Sequence, residues 1–175
     1  MSLKAELHVD LGNLSCMWNG ISLGFFASSS GLARVMVLAA AEDERDEVTI
    51  ALDSDAYADF KSLFRRAEDT VRTLRGCKSL MPPRELISLP MRLEIDVDAL
   101  RLDSAEVRCT LQINDSGSVE LITAYSDRES SSLVIVRMNE TDYRRFRDLI
   151  NGADDAIARA CQAHQIHSNF LMVRR

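Results

Sequence analysis

Val48-Thr-Ile-Ala-Leu-Asp-Ser-Asp-Ala-Tyr57-Ala-Asp-Phe60-Lys-Ser-Leu63 and Val134-Ile-Val-Arg-Met-Asn-Glu-Thr-Asp-Tyr143-Arg-Arg-Phe146-Arg-Asp-Leu149 are one pattern written twice, 86 residues apart. Val48 falls on Val134, Tyr57 on Tyr143, Phe60 on Phe146 and Leu63 on Leu149. Each copy opens with apolar residues at a period of 2 and continues with apolar residues at a period of 3.6, so a strand passes into a helix. Asp53 and Asn139 stand at the change. Their side-chain oxygens suit the helix N-cap, where a first-turn N–H lacks a partner.

Working outward, the same offset lays residues 5–74 on 91–160 without a gap, with 11 identities among 70 positions. Ala5–Leu11 and Met91–Val97 both alternate, which predicts half-buried strands. Val107–Ile113 alternates as well. Ser30-Gly31 and Ser116-Gly117 are matching hairpin-turn candidates. Third strands near 33–40 and 119–125, polar loops at 42–47 and 126–131, and fourth strands at 48–52 and 133–138 complete each copy. Tyr57, Phe60, Leu63, Phe64, Ala67, Val71 and Leu74 then share one helix face, and Tyr143, Phe146, Leu149, Ile150, Ala153 and Ile157 repeat it. Gly76 is a plausible helix stop, and Pro82-Pro83 and Pro90 mark a connector. The expected fold is α+β: two tandem ββββα repeats, 1–76 and 91–175, joined by a linker at 77–90. They would pack as an intramolecular pseudo-dimer of four-stranded antiparallel sheets with one long helix each, because a lone copy makes a thin core.

Composition narrows the function. Of 175 residues, 46% are hydrophobic and 27% charged, as in ordinary globular chains. No apolar run is long enough to span a bilayer, and no membrane role is expected. The start lacks the basic and apolar regions of a secretory signal. The four cysteines form no Cys-x-x-Cys pair, so the expectation is a reduced, cytoplasmic chain without zinc or a redox dithiol. The net charge of −6 gives no overall basic surplus for phosphates.

Candidate sites are few. Cys161, His164 and His167 sit three apart, and on a helix such a spacing spreads ligands over more than half a turn, so no metal is assigned. His8 beside Glu6 and Asp10 has acid–base residue types, but the second copy replaces it with Glu94, and a solvated strand face is the plainer reading. No phosphate loop, zinc-protease or nucleophile-elbow motif occurs. The chain is therefore read as a non-enzyme with no catalytic residues and no cofactor. Arg144, Arg145 and Arg147 form a basic cluster on the second helix. A phosphate patch competes there with an ordinary solvated face beside Asp142 and Asp148. Trp18, Phe25 and Phe26, with Met36 and Leu38 opposite in phase to Val35 and Val37, make both faces of the first sheet apolar. That suits a base-stacking platform or a buried interface, either between the copies or in a homodimer.

The order strand-strand-strand-strand-helix, twice, with Phe60-Lys61-x-Leu63 and Phe146-Arg147-x-Leu149 in the helices, resembles the PUR-repeat proteins and the related Whirly type. The resemblance implies intertwined repeats and a sheet surface that binds single-stranded DNA or RNA. It would make Arg34, Arg92 and Arg108, with Trp18 and Phe26, the contacts. The family's third strand carries basic and aromatic residues after the turn glycine. Here Gly31 and Gly117 are followed by Arg34 and Glu120, with no aromatic. The alternative expectation is a protein-interaction or assembly module that keeps the fold and uses the apolar face of the first copy, Met36 and Leu38 included, toward a homodimer or protein partner.

Overall fold

A computed structural model describes residues 9–16, 21–27, 33–40, 46–76, 92–114 and 116–173. The element order is β1 (Val9–Cys16), β2 (Ile21–Ala27), β3 (Ala33–Ala40), β4 (Glu47–Leu52), α1 (Ser54–Gly76), β5 (Arg92–Arg101), β6 (Ala105–Asn114), β7 (Val119–Asp127), β8 (Leu133–Met138) and α2 (Glu140–Val173). Neighbouring strands pair antiparallel in the orders β1-β2-β3-β4 and β5-β6-β7-β8. The expected strand Ala5–Leu11 is described only from Val9, and the connector at 77–90 lies outside the described residues. No described helix is long and apolar enough to cross a membrane.

The 86-residue offset reappears as geometry. β4 and β8, and the starts of α1 and α2, coincide under it. The β1–β2 register breaks after Asp10 and the β5–β6 register after Asp96, its counterpart. Both helices start alike. The Ala56 N–H donates to Asp53 Oδ1 at 2.9 Å, and the Asp142 N–H donates to Asn139 Oδ1 at 2.9 Å. Each cap satisfies a donor that has no intrahelical partner.

Two equal four-stranded ββββα repeats, however, are not what the structure gives, and that expectation is corrected. Among the described residues the first sheet supplies the core chiefly through two strands, β3 and β4, with Ile21 of β2, whereas β5, β6, β7 and β8 all contribute from the second. Glycine in a strand interior has no side chain to pack. β1 and β2 carry Gly12 and Gly24 where β5 and β6 carry Asp98 and Thr110. The helices are unequal too: α1 has 23 residues and ends at Gly76, whereas α2 has 34 and meets no glycine or proline after Gly152. Nor does each helix cover its own sheet. α1 lies against β5 and β6, and α2 against β1 and β2.

This exchange puts the helices against each other at the centre. Phe60, Phe64 and Phe146 are buried and meet edge to face, with ring centroids 4.9 Å apart for Phe60–Phe64 and 4.8 Å for Phe64–Phe146. Val48, Ile50 and Leu52 of β4 and Val134, Val136 and Met138 of β8 close around them. Reciprocal polar contacts frame the rings. Tyr57 Oη donates to the Ile150 carbonyl at 3.2 Å, and Tyr143 Oη lies 3.4 Å from the Phe64 carbonyl, its symmetry mate. Lys61–Asp154 at 2.8 Å is mirrored by Arg147–Glu68 at 3.7 Å.

Candidate functional site

The outward face of the second sheet is the best-described surface. Alternation along β6 buries Val107, Cys109 and Leu111 and turns Arg108 outward. The register then sets out cross-strand rows. Arg92 faces Asn114, Glu94 faces Gln112 and Glu120, Asp96 faces Thr110 and then Ile122 and Arg137, and Arg108 faces Ala99, Ala124 and Ile135. The polar groups in these rows are largely engaged with one another. Gln112 donates to Glu94 at 3.0 Å and accepts from Arg137 at 3.1 Å. Thr110 donates to Asp96 at 3.1 Å, and Arg108 pairs with Glu106 at 3.0 Å. Arg101 and Arg128 share the same Glu106.

On that face the two expected contacts are brought into one sheet but not together. Arg92 pairs with Asn114, six positions along β6 from Arg108. At about 3.4 Å per residue they stand roughly 20 Å apart. Glu94, Asp96 and Glu120 occupy the rows between them. In the first sheet, Phe26 is the register partner of Arg34, and Met36 partners Gly24 and Ala51. Met36 and Leu38 are half-buried. Trp18 and His8 lie outside the described residues, as do the side chains of Cys161, His164 and His167. Among the described residues no cluster of three metal-ligating side chains occurs.

Sequence reasoning missed two features. Leu133 and Ile135, on the outward face of β8, are 54% and 55% exposed, the large hydrophobics most open to solvent among the described residues. Their signal was present, since Leu133-Val-Ile-Val carries apolar residues in both phases of the strand. The second feature is a cleft of about 310 Å³ beside α1, where the helix leaves part of the inner face of the second sheet uncovered. Leu111, Val119, Leu121, Met138, Ala67 and Val71 form its floor, and Arg72, Arg75, Arg144 and Arg147 stand at its mouth.

Reactive groups near these surfaces are held quiet. Burial, then the Asp98 carboxylate, pushes the Cys109 thiol up to about 12. Burial and a carboxylate neighbour also raise the phenols of Tyr57 (Asp154) and Tyr143 (Glu68). Neither group presents a nucleophile or a base poised near neutral pH. No protein-family model, curated protein or solved structure matches this chain.

Proposed function

We propose that the protein is a non-enzymatic interaction module that self-associates through the outward face of its second sheet. The observation that carries this reading is the exposure of Leu133 and Ile135 on β8, with Ala124 of β7 the register partner of Ile135 and Ile122 diagonal to it. Burying such a strip is worth about 25 cal/mol per Å² of apolar surface. A second copy fits the charges around it. Glu94, Asp96 and Glu120 lie toward the Asn114 end of the face, outnumbering Arg92 and Arg137, while Arg101 and Arg108 flank Glu106 at the other. A two-fold axis lying in the interface plane, across the strands, lays the acidic end of one copy on the arginine end of the other, the isologous arrangement of most homodimers. Sedimentation velocity across a concentration series tests it. The mass should double with concentration, and Ile135→Asp should return it to that of one chain. A wild-type chain that stays monomeric at the highest soluble concentration refutes the reading.

A second reading, single-stranded nucleic-acid binding of PUR or Whirly type, is favoured by one observation: Phe26 and Arg34 are register partners on adjacent strands. An aromatic beside a cation suits a base and its phosphate. Anisotropy of a labelled single-stranded oligonucleotide tests it: affinity that falls with salt and is lost in Arg34→Ala supports it. The interleaved carboxylates of the second sheet weigh against that sheet as the binding surface, because a polyanion is repelled by them.

A further inference from the structure

The cleft between α1, α2 and the β6–β8 part of the inner sheet face has a built chemical polarity. Its floor is aliphatic, supplied by Leu111, Val119, Leu121 and Met138 from the sheet and Val71 from α1. Its mouth holds four arginines against two carboxylates, Glu68 and Glu140, and the arginine side chains are 79%, 59%, 64% and 50% exposed for Arg72, Arg75, Arg144 and Arg147. Two of them already demonstrate a grip on an anion. Arg75 Nη2 lies 3.0 Å from one oxygen of Glu140, and Arg144 Nη2 lies 2.9 Å from the other. Each guanidinium carries five N–H donors in a planar fork and is engaged there through one nitrogen. The α2 N-terminus, capped by Asn139, opens on the same mouth and adds its positive dipole end.

Three of these four arginines have no cationic counterpart in the other copy. Under the 86-residue offset, the counterparts of Arg144, Arg72 and Arg75 are Ala58, Ala158 and Cys161, and only Lys61 answers Arg147. The apolar floor, by contrast, keeps its character at its counterparts: Phe25 for Leu111, Val35 for Leu121 and Leu52 for Met138. Three of the four cations therefore stand on one side of the duplication only, in a chain whose net charge is −6.

We infer that this cleft binds a small amphipathic monoanion, a carboxylate on a short aliphatic body, with the chain on the floor and the headgroup displacing the Glu140 carboxylate between Arg75 and Arg144. The volume of about 310 Å³ lies at the lower end of small-molecule sites. A carboxylate matches the guanidinium fork. The site is distinct from the outward sheet face, and either proposal stands or falls without the other.

Titration calorimetry of the whole chain with sodium octanoate, sodium hexanoate and octanol tests the inference, with a short oligothymidylate as a fourth probe. Octanoate should bind. Hexanoate, lacking two buried methylenes, should bind roughly fifteenfold more weakly, and octanol at least about tenfold more weakly for want of the charge. Val71→Phe, which fills the floor, should abolish octanoate binding, and Arg75→Gln with Arg144→Gln should weaken it at least about fivefold. Thermal melts of both variants confirm that they fold. If one does not, the other carries the test. Octanol binding as tightly as octanoate, octanoate binding that survives Val71→Phe, or binding of oligothymidylate but not octanoate would each overturn the assignment.

Discussion

Phe60→Ala is the perturbation that best tests how the two halves are joined. Phe60 is fully buried on α1, and its ring meets Phe64 at 4.9 Å and Phe146 of the other helix at 6.5 Å. Truncating a core phenylalanine costs about 3–5 kcal/mol, from lost transfer free energy and from the cavity left behind. The upper part of that range applies here. Phe64 and Phe146 are held edge to face, so neither can tip into the hole without breaking a pair worth about 0.5–1.5 kcal/mol. With a urea slope of about 2 kcal/mol per M, a loss of about 4 kcal/mol lowers the midpoint by about 2 M. Because the ring sits between the halves, far-ultraviolet circular dichroism and near-ultraviolet aromatic signals should move together in one transition. Where the alanine variant leaves too little folded protein, Phe60→Leu should give a shift of less than about 1.5 kcal/mol with the same single transition. A shift below about 1 kcal/mol for the alanine variant would refute the reasoning. So would two separated transitions, which would mean that the halves fold as independent units.

Other expectations follow from the same contacts. Asp53→Ala and Asn139→Ala should each cost about 1 kcal/mol in urea titrations, since each removes an equivalent N-cap bond. A clear inequality between them would show that the two helix starts are not energetically matched. Cys109, its thiol raised to about 12, should resist iodoacetamide at pH 8 in the folded chain and react in urea. Peptide mass spectrometry separates it from the other three cysteines, and fast native labelling would contradict its burial. The carboxyl of Glu140 lies below its ordinary value of 4.5, chiefly through the hydrogen bond from Arg144 and then the charge of Arg75. A depressed folded pKa means a contribution present above 4.5 and lost as pH falls through the lower folded value. Glu140→Gln should therefore flatten the acid limb of stability against pH, and an unchanged limb would show that its pairs are too exposed to matter.

How much of this was legible in advance depends on the range over which a residue acts. Strand-to-helix switches at Asp53 and Asn139, and the apolar faces carrying Phe60 and Phe146, are local patterns and lie open in the sequence. The exchange of helices between sheets is not local. Tyr57 reaches Ile150 across 93 positions, and nothing in the spacing of either copy distinguishes a helix folding back on its own sheet from one crossing over. The nucleic-acid candidates show the same limit. Arg92 and Arg108 are both outward-facing, as period 2 predicts, but only the β5–β6 register reveals the roughly 20 Å and the carboxylate rows between them. The arginine cleft was half visible. The Arg144–Arg147 run stands out on α2, whereas Arg72 and Arg75 look like ordinary helix-end cations until the fold brings the end of α1 to the start of α2.

The pattern of what the duplication preserved is itself a physical argument. Four contacts between the copies form two matched pairs, Tyr57 to Ile150 with Tyr143 to Phe64 and Lys61 to Asp154 with Arg147 to Glu68, whereas the exposed pairs Arg66–Asp98 and Arg75–Glu140 have no counterpart. A change on one side of such a contact removes a partner from the other copy, leaving a buried or half-buried polar group unsatisfied at a cost of about 1–3 kcal/mol. Surfaces away from the axis carry no such penalty, since exposed substitutions usually change stability by less than about 0.5 kcal/mol. They are where the copies differ: Arg144 and Arg145 against Ala58 and Asp59, Leu133 against Glu47, and Ile135 against Thr49. Leu133 and Ile135 are the costly direction of change, because each exposes an aliphatic side chain to water where its counterpart is polar. An exposed pair of that kind is explained if a second surface covers it, which is why the face of β8, and not the better-balanced face of β4, is the place to look for the partner copy.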